Sequence, residues 1–168
     1  MTIRFERLPF SPQLVQARWF LDKFPSEDAP GLAQLALERG YDGKNIRRIA
    51  GLIRPDRGDL LPLMPGFLSE LGVPTAIARE DAARILAGHI AKGISEGQIT
   101  PYEGARFIGY DIVCEIWPNE QHPLLIFEAC ASDYEDCESY TDRPNARRKE
   151  IEQDIINEAR RLLASPES

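Results

Sequence analysis

The chain has little that would mark a catalyst. It holds two histidines, His89 and His122, and three cysteines, Cys114, Cys130 and Cys137. The cysteines are odd in number and not spaced Cys-x-x-Cys, which argues against a disulfide framework and a zinc knuckle. Reduced thiols are expected. No run of about 18 apolar residues occurs, so no membrane-spanning helix is expected. The opening residues Met1 to Arg7 contain no apolar signal core, which points to the cytoplasm. The GxSxG, GxxxxGK[ST], GxGxxG and HExxH patterns are missing. Gly43-Lys44 is followed by Asn45 and lacks the upstream glycine of a phosphate loop. Neither histidine follows a glutamate by three, as a di-metal carboxylate bundle requires. No catalytic residue, metal or cofactor is therefore expected. Strand signals are also scarce: there is no sustained two-residue alternation and no Asn-Gly hairpin turn.

What remains is helical periodicity. A length of 168 residues suits one domain, residues 1–168, able to bury about 70% of its unfolded surface. Hydrophobic content of 43% with 28% charged residues argues against disorder. Ser11-Pro12 reads as a cap followed by proline at the first helical position, opening a helix to about Phe24. Asp28 to Arg39 follows, with Leu32, Leu35 and Ala36 as its apolar stripe and Gly40 as its stop. A third helix, about Lys44 to Ile53, buries Ile46, Ile49, Ala50 and Ile53. Asp59 to Leu71 is interrupted by Pro62 and Pro65. Gly72-Val73-Pro74 marks a sub-boundary near 72–74. Thr75 to Lys92 carries Ala83, Leu86 and Ile90 on one stripe. Thr100-Pro101-Tyr102-Glu103 is a capping-box start for a helix to about Trp117. Pro123 to Ala131 is apolar and reads as a helix or a short strand, with helix favoured. Asn145 to Ala164 closes the chain with Ile151, Ile155, Ala159 and Leu162 buried. The expected fold class is all-α, a compact multi-helix bundle of about six to eight helices.

Charge is the most uneven property. Residues 1–109 carry 14 Lys/Arg and 13 Asp/Glu, whereas residues 110–168 carry 6 and 14. Six acids, Glu128, Asp133, Glu135, Asp136, Glu138 and Asp142, fall in one stretch without a base, interleaved with Tyr134 and Tyr140. Such a field repels nucleic acid and attracts a basic partner. A calcium loop starting at Asp133 fails, because its sixth position is Glu138 rather than glycine. The candidate partner-binding residues are Asp133, Tyr134, Glu135, Asp136, Glu138 and Tyr140, tyrosine being enriched at interfaces. Asp111 and Glu115 share a helix face. With Arg106, and with Glu128 if the next segment folds back, they are the strongest carboxylate and arginine cluster for an enzyme site. Cys114 with His122 is the weakest such pairing, since a cysteine on an apolar helix face is usually packing. Lys44, Arg47, Arg48, Arg54 and Arg57 superficially resemble a helix-turn-helix. The sequence pI of about 4.9 argues against DNA, and contact with the acidic segment is the alternative role.

Ile99-Thr100-Pro101-Tyr102-Glu103-Gly104-Ala105-Arg106 resembles a segment of a family of small bacterial helical proteins. The family also has an acidic Ser-Asp-Tyr-Glu-Asp element, here Ser132 to Asp136, and a closing Glu-Ala-Arg-Arg-Leu-Leu, here Glu158 to Leu163. Leu35 to Asp42 and Arg48 to Leu52 are similar to its N-terminal half. The resemblance implies a bacterial source and a helical fold, and no activity. The expected function is an acidic, non-catalytic binding protein, of the immunity or antitoxin type, that docks a basic protein partner, with neither nucleic acid nor membrane as a target. A structural or regulatory helical domain, or an enzyme with a carboxylate and arginine site, are the alternatives.

Overall fold

Caps written in the sequence set the first helix. In the computed structural model, which describes residues 3, 5–118, 122–140 and 142–165 (Tyr140 by its backbone alone), Ser11 accepts the Leu14 N–H and Pro12 opens α1, Pro12–Phe20. Helix accounts for 71% of the described residues and no strand occurs among them. The chain is all-α. Among the described residues it has nine helices rather than six to eight. The extra one arises where proline interrupts: residues 57–71 divide into α4, Arg57–Leu60, and α5, Met64–Glu70. Pro62 falls in the turn between them and Pro65 in the first turn of α5. Proline lacks the N–H that a continuous helix needs there.

Two compact units divide the chain, residues 10–82 and residues 1–9 with 83–168. The division falls within α6, Arg79–Ser95.

The first unit holds α1, α2 (Ala29–Glu38), α3 (Lys44–Ala50), α4 and α5. Ile46, Ile49, Leu60, Met64 and Phe67 are fully buried at its core. The face of α2 turned inward is Ala29, Ala33 and Ala36; Leu32 is half-buried and Leu35 is 40% exposed. Alanines let α3 approach closely, so the buried stripe runs one residue round from the larger leucines. Gly40, at a φ of +88°, terminates α2 in the left-handed region that glycine tolerates. The third helix stops at Ala50 rather than Ile53, and Ile53 is 90% exposed. Two polar groups are buried in α1. The Gln16 amide donates to the Pro74 carbonyl at 2.6 Å, and Arg18 pairs with Asp28 at 2.7 Å.

The second unit is built from α6, α7 (residues 101–116), α8 (Leu125–Tyr140) and α9 (Pro144–Ala164). Ala83, Leu86 and Ile90 are fully buried on α6, as their spacing predicts. On α9 Ile151, Ile155 and Ala159 are buried, with Leu162 half-buried. Helices α7, α8 and α9 pack on one another in all three pairings. Within α7 the run Phe107–Val113 is π-helical, a form rare beyond a single turn. The apolar stretch ending at Ala131 is helical and continues through the acidic residues to Tyr140.

Candidate functional site

Five of the six acids of the stretch, Glu128, Asp133, Glu135, Asp136 and Glu138, lie on α8, with Asp142 beyond its end, and α7 and α9 pack against α8. Thr100 starts α7 by accepting the Glu103 N–H at 3.3 Å, while its hydroxyl donates to the Glu103 carboxylate at 2.7 Å. From there Tyr102, Arg106 and Tyr110 recur every four residues and so share one face. That face meets α8. The Tyr102 hydroxyl donates to Glu135 Oε1 at 2.7 Å, and Arg106 Nε stands 3.6 Å from the same oxygen. Arg106 also lies over the Tyr110 ring, and Tyr110 shares a hydrogen bond with Ser132.

Helix α9 supplies the other cations. Arg147 pairs with Asp133 at 3.5 Å, and Arg148 with Glu138 at 3.0 Å. The Arg148 guanidinium lies 5.3 Å from the centre of the Tyr134 ring. Tyr134 stacks on Tyr102 with centroids 4.4 Å apart, and its hydroxyl donates to Glu152 at 3.4 Å. Burial, then the Glu135 hydrogen bond, pushes the Tyr102 phenol above its ordinary value. Burial and Glu152 do the same for Tyr134. Both phenols therefore remain protonated donors near neutral pH.

The structure thus gives three of the predicted partner-binding acids an internal arginine: Glu135 has Arg106, Asp133 has Arg147 and Glu138 has Arg148. All three carboxylates remain exposed, as does Asp136, which has no ion pair among the described residues. Tyr134 is half-buried between Tyr102 and Arg148. Tyr140 ends α8, and its side chain lies outside the described residues. Sequence reasoning missed Tyr102, Arg147 and Arg148 as parts of this arrangement. The only signal was the recurrence of Tyr102, Arg106 and Tyr110 at helical spacing.

The enzyme-like candidates are placed otherwise. Arg106 turns to Glu135, and Asp111 makes no ion pair among the described residues. Glu128 lies near Tyr110 and Cys114. Cys114 is exposed rather than packed; partial burial and Glu128 raise its thiol pKa, which disfavours the nucleophilic thiolate. His122 stacks on Trp117 at 3.9 Å, and its Nδ1 accepts the Leu124 N–H. No group of three or more His, Cys, Asp or Glu among the described residues is arranged to hold a metal. No described helix is long and apolar enough to cross a membrane. Of the basic residues from Lys44 to Arg57, two pair locally, Arg47 with Asp42 and Arg57 with Asp22.

No protein-family profile, no curated protein and no solved structure matches the chain.

Proposed function

We propose that the chain is a protein-binding module that docks a basic protein through α8. The reading rests on one observation: Asp133, Glu135, Asp136 and Glu138 are exposed on a single helix and three of them are held by arginines of neighbouring helices. A carboxylate braced in this way keeps its position, so a partner meets a preorganised surface and loses less side-chain entropy on binding. The unit that carries α8 has 11 Lys/Arg against 17 Asp/Glu. Such a field speeds encounter with a cationic surface. Tyr134 acts in this reading as the brace between α7 and α9. The specific form we favour is an inhibitor of the immunity or antitoxin type in the cytoplasm, covering the cationic site of a basic effector such as a nuclease. The test is association kinetics against a basic protein recovered from the host, comparing the wild type with a variant in which Asp133, Glu135, Asp136 and Glu138 are Asn or Gln. Slower association in the variant supports the reading. An unchanged rate removes α8 from the interface.

A further inference from the structure

Residues Lys44 to Arg54 form a surface that the basic-partner reading leaves unused. Lys44 and Arg48 are four apart on α3 and share a face. Both are exposed, and with Arg54 they make no ion pair among the described residues. Beyond α3 the chain presents Ile53 at 90% exposure, the most exposed of the large hydrophobics among the described residues. The next residue, Arg54, adopts a φ of +49°, a conformation that a non-glycine residue rarely takes. Two of these cations, Arg48 in the last turn of α3 and Arg54 next to Ile53 in the chain, thus accompany a bare apolar knob where the Gly51 and Leu52 N–H groups close the helix on the Arg48 and Ile49 carbonyls. A single exposed isoleucine is unremarkable by itself. Its setting among unpaired cations is what calls for an occupant with acids beside an apolar contact.

The chain carries a surface of that description. On α8 the residues Ile126, Ala129, Asp133 and Asp136 follow one another at steps of three, four and three, and so lie along one helix face. All four are exposed, Ile126 at 41%. The first two are apolar and the last two acidic. We infer that the Lys44, Arg48, Ile53 and Arg54 surface of one copy docks on the Ile126, Ala129, Asp133 and Asp136 face of a second copy. This rests on the reading of α8 as a docking face and names a second copy of the chain as a partner for it. Ile53 sets against Ile126 and Ala129 while Arg48 and Arg54 meet Asp133 and Asp136. The association is electrostatically steered and therefore sensitive to salt.

Light scattering after size exclusion tests it, at about 0.02 M and about 0.5 M salt, the range over which screening shortens from roughly 20 Å to a few Å. Wild type is expected to exceed the monomer mass at low salt and return to it at high salt. Arg48→Glu with Arg54→Glu, and separately Asp133→Lys with Asp136→Lys, should each be monomeric at low salt. Mixing these two variants should restore association, because the reversed surfaces match. Ile53→Asp should weaken self-association at least tenfold without altering the circular dichroism spectrum. A wild type monomeric at both salts overturns the inference, as does association unchanged in both reversed variants. A monomer whose Lys44 to Arg54 surface instead holds duplex DNA also overturns it. Failure here is separable from failure of the basic-partner reading: a monomeric wild type whose Asp133 and Asp136 still govern binding to a recovered basic protein loses only the contact between copies.

Discussion

Gly109 and Glu128 bring the backbones of α7 and α8 together. A methyl group on Gly109 would stand 2.5 Å from the Glu128 α-carbon and 2.7 Å from its amide nitrogen. Backbone atoms cannot swing aside as the end of a side chain can. Glycine is therefore required at this point of the π-helical run. In an ordinary exposed helix, alanine is better than glycine by about 1 kcal/mol. Here the sign should reverse: Gly109→Ala should destabilise by about 1–3 kcal/mol, the usual cost of overpacking. Urea unfolding followed by circular dichroism measures it. A variant as stable as the wild type would mean that α8 does not pack on the π segment.

Glu70 caps a helix that it does not belong to. Gly43 precedes α3 and offers no capping side chain, so the Glu70 carboxylate of α5 accepts the Asn45 N–H at 3.1 Å and the Ile46 N–H at 2.8 Å. The Asn45 side-chain amide adds a third bond at 2.8 Å. Burial alone would raise the Glu70 pKa; the hydrogen bonds outweigh it and hold the carboxyl below its ordinary value. Glu70→Ala should cost about 1–2 kcal/mol, the scale of a lost cap. Glu70→Gln keeps one acceptor and should cost less. Because the folded pKa is the lower one, this stabilisation is complete above the unfolded value of about 4.3 and is lost as pH falls through the folded value. The gap between wild type and Glu70→Ala in urea midpoint should be constant from about pH 6 to 8 and shrink near pH 3.5. A gap independent of pH would assign Glu70 a packing role alone.

His89 gives a second pH dependence in a different window. Burial, then Lys92, lowers its pKa. The unfolded chain takes up the proton first, near the ordinary histidine value of about 6.5. Its contribution is fully present above that value and declines as pH falls from there to the folded pKa. Unfolding midpoints should therefore drop between about pH 7.5 and 5.5, and His89→Gln should flatten that segment of the curve. An equally steep decline in the variant would place the titrating group elsewhere.

How much of this was legible depends on the scale of the cause. Local signals read correctly: Ser11, Pro12 and Thr100 start helices as their chemistry demands, and the periodic faces of α6 and α9 are buried as spaced. Tertiary choices did not. On α2 the packing of α3 selects alanines over Leu35, and the amphipathic pattern ranks leucine higher. Ile53 continues the α3 pattern, yet Gly51 and the left-handed Arg54 end the helix before it. The π run gave no warning, because nothing in the spacing of residues 107–113 departs from an ordinary helix and the α8 backbone that faces Gly109 is a tertiary neighbour. The acidic stretch was visible as charge, but its arginines on α7 and α9 were not, since no spacing rule links Arg106, Arg147 and Arg148 to their partners.

Those arginines divide the acids of α8 into two kinds, and the division is testable. Asp136 has no ion pair among the described residues, so Asp136→Asn should leave stability within about 0.5 kcal/mol of wild type. Glu135→Ala removes the acceptor of Tyr102 and the partner of Arg106, and exposed pairs of this kind contribute about 0–1 kcal/mol each. If α8 is the partner face, each change should slow association with a basic protein, because rim charges act on the encounter step. Dissociation should respond differently. Loss of Asp136 removes only field, and the off-rate stays close to wild type. Loss of Glu135 frees Tyr102 and Arg106 and loosens the brace, so the off-rate rises as well. Stopped-flow measurements across salt separate the two rates, since field effects fade as screening shortens to about 8 Å at 0.15 M. Identical kinetics for both variants and the wild type would show that α8 carries its charge for its own packing against α7 and α9, and that the basic partner binds elsewhere.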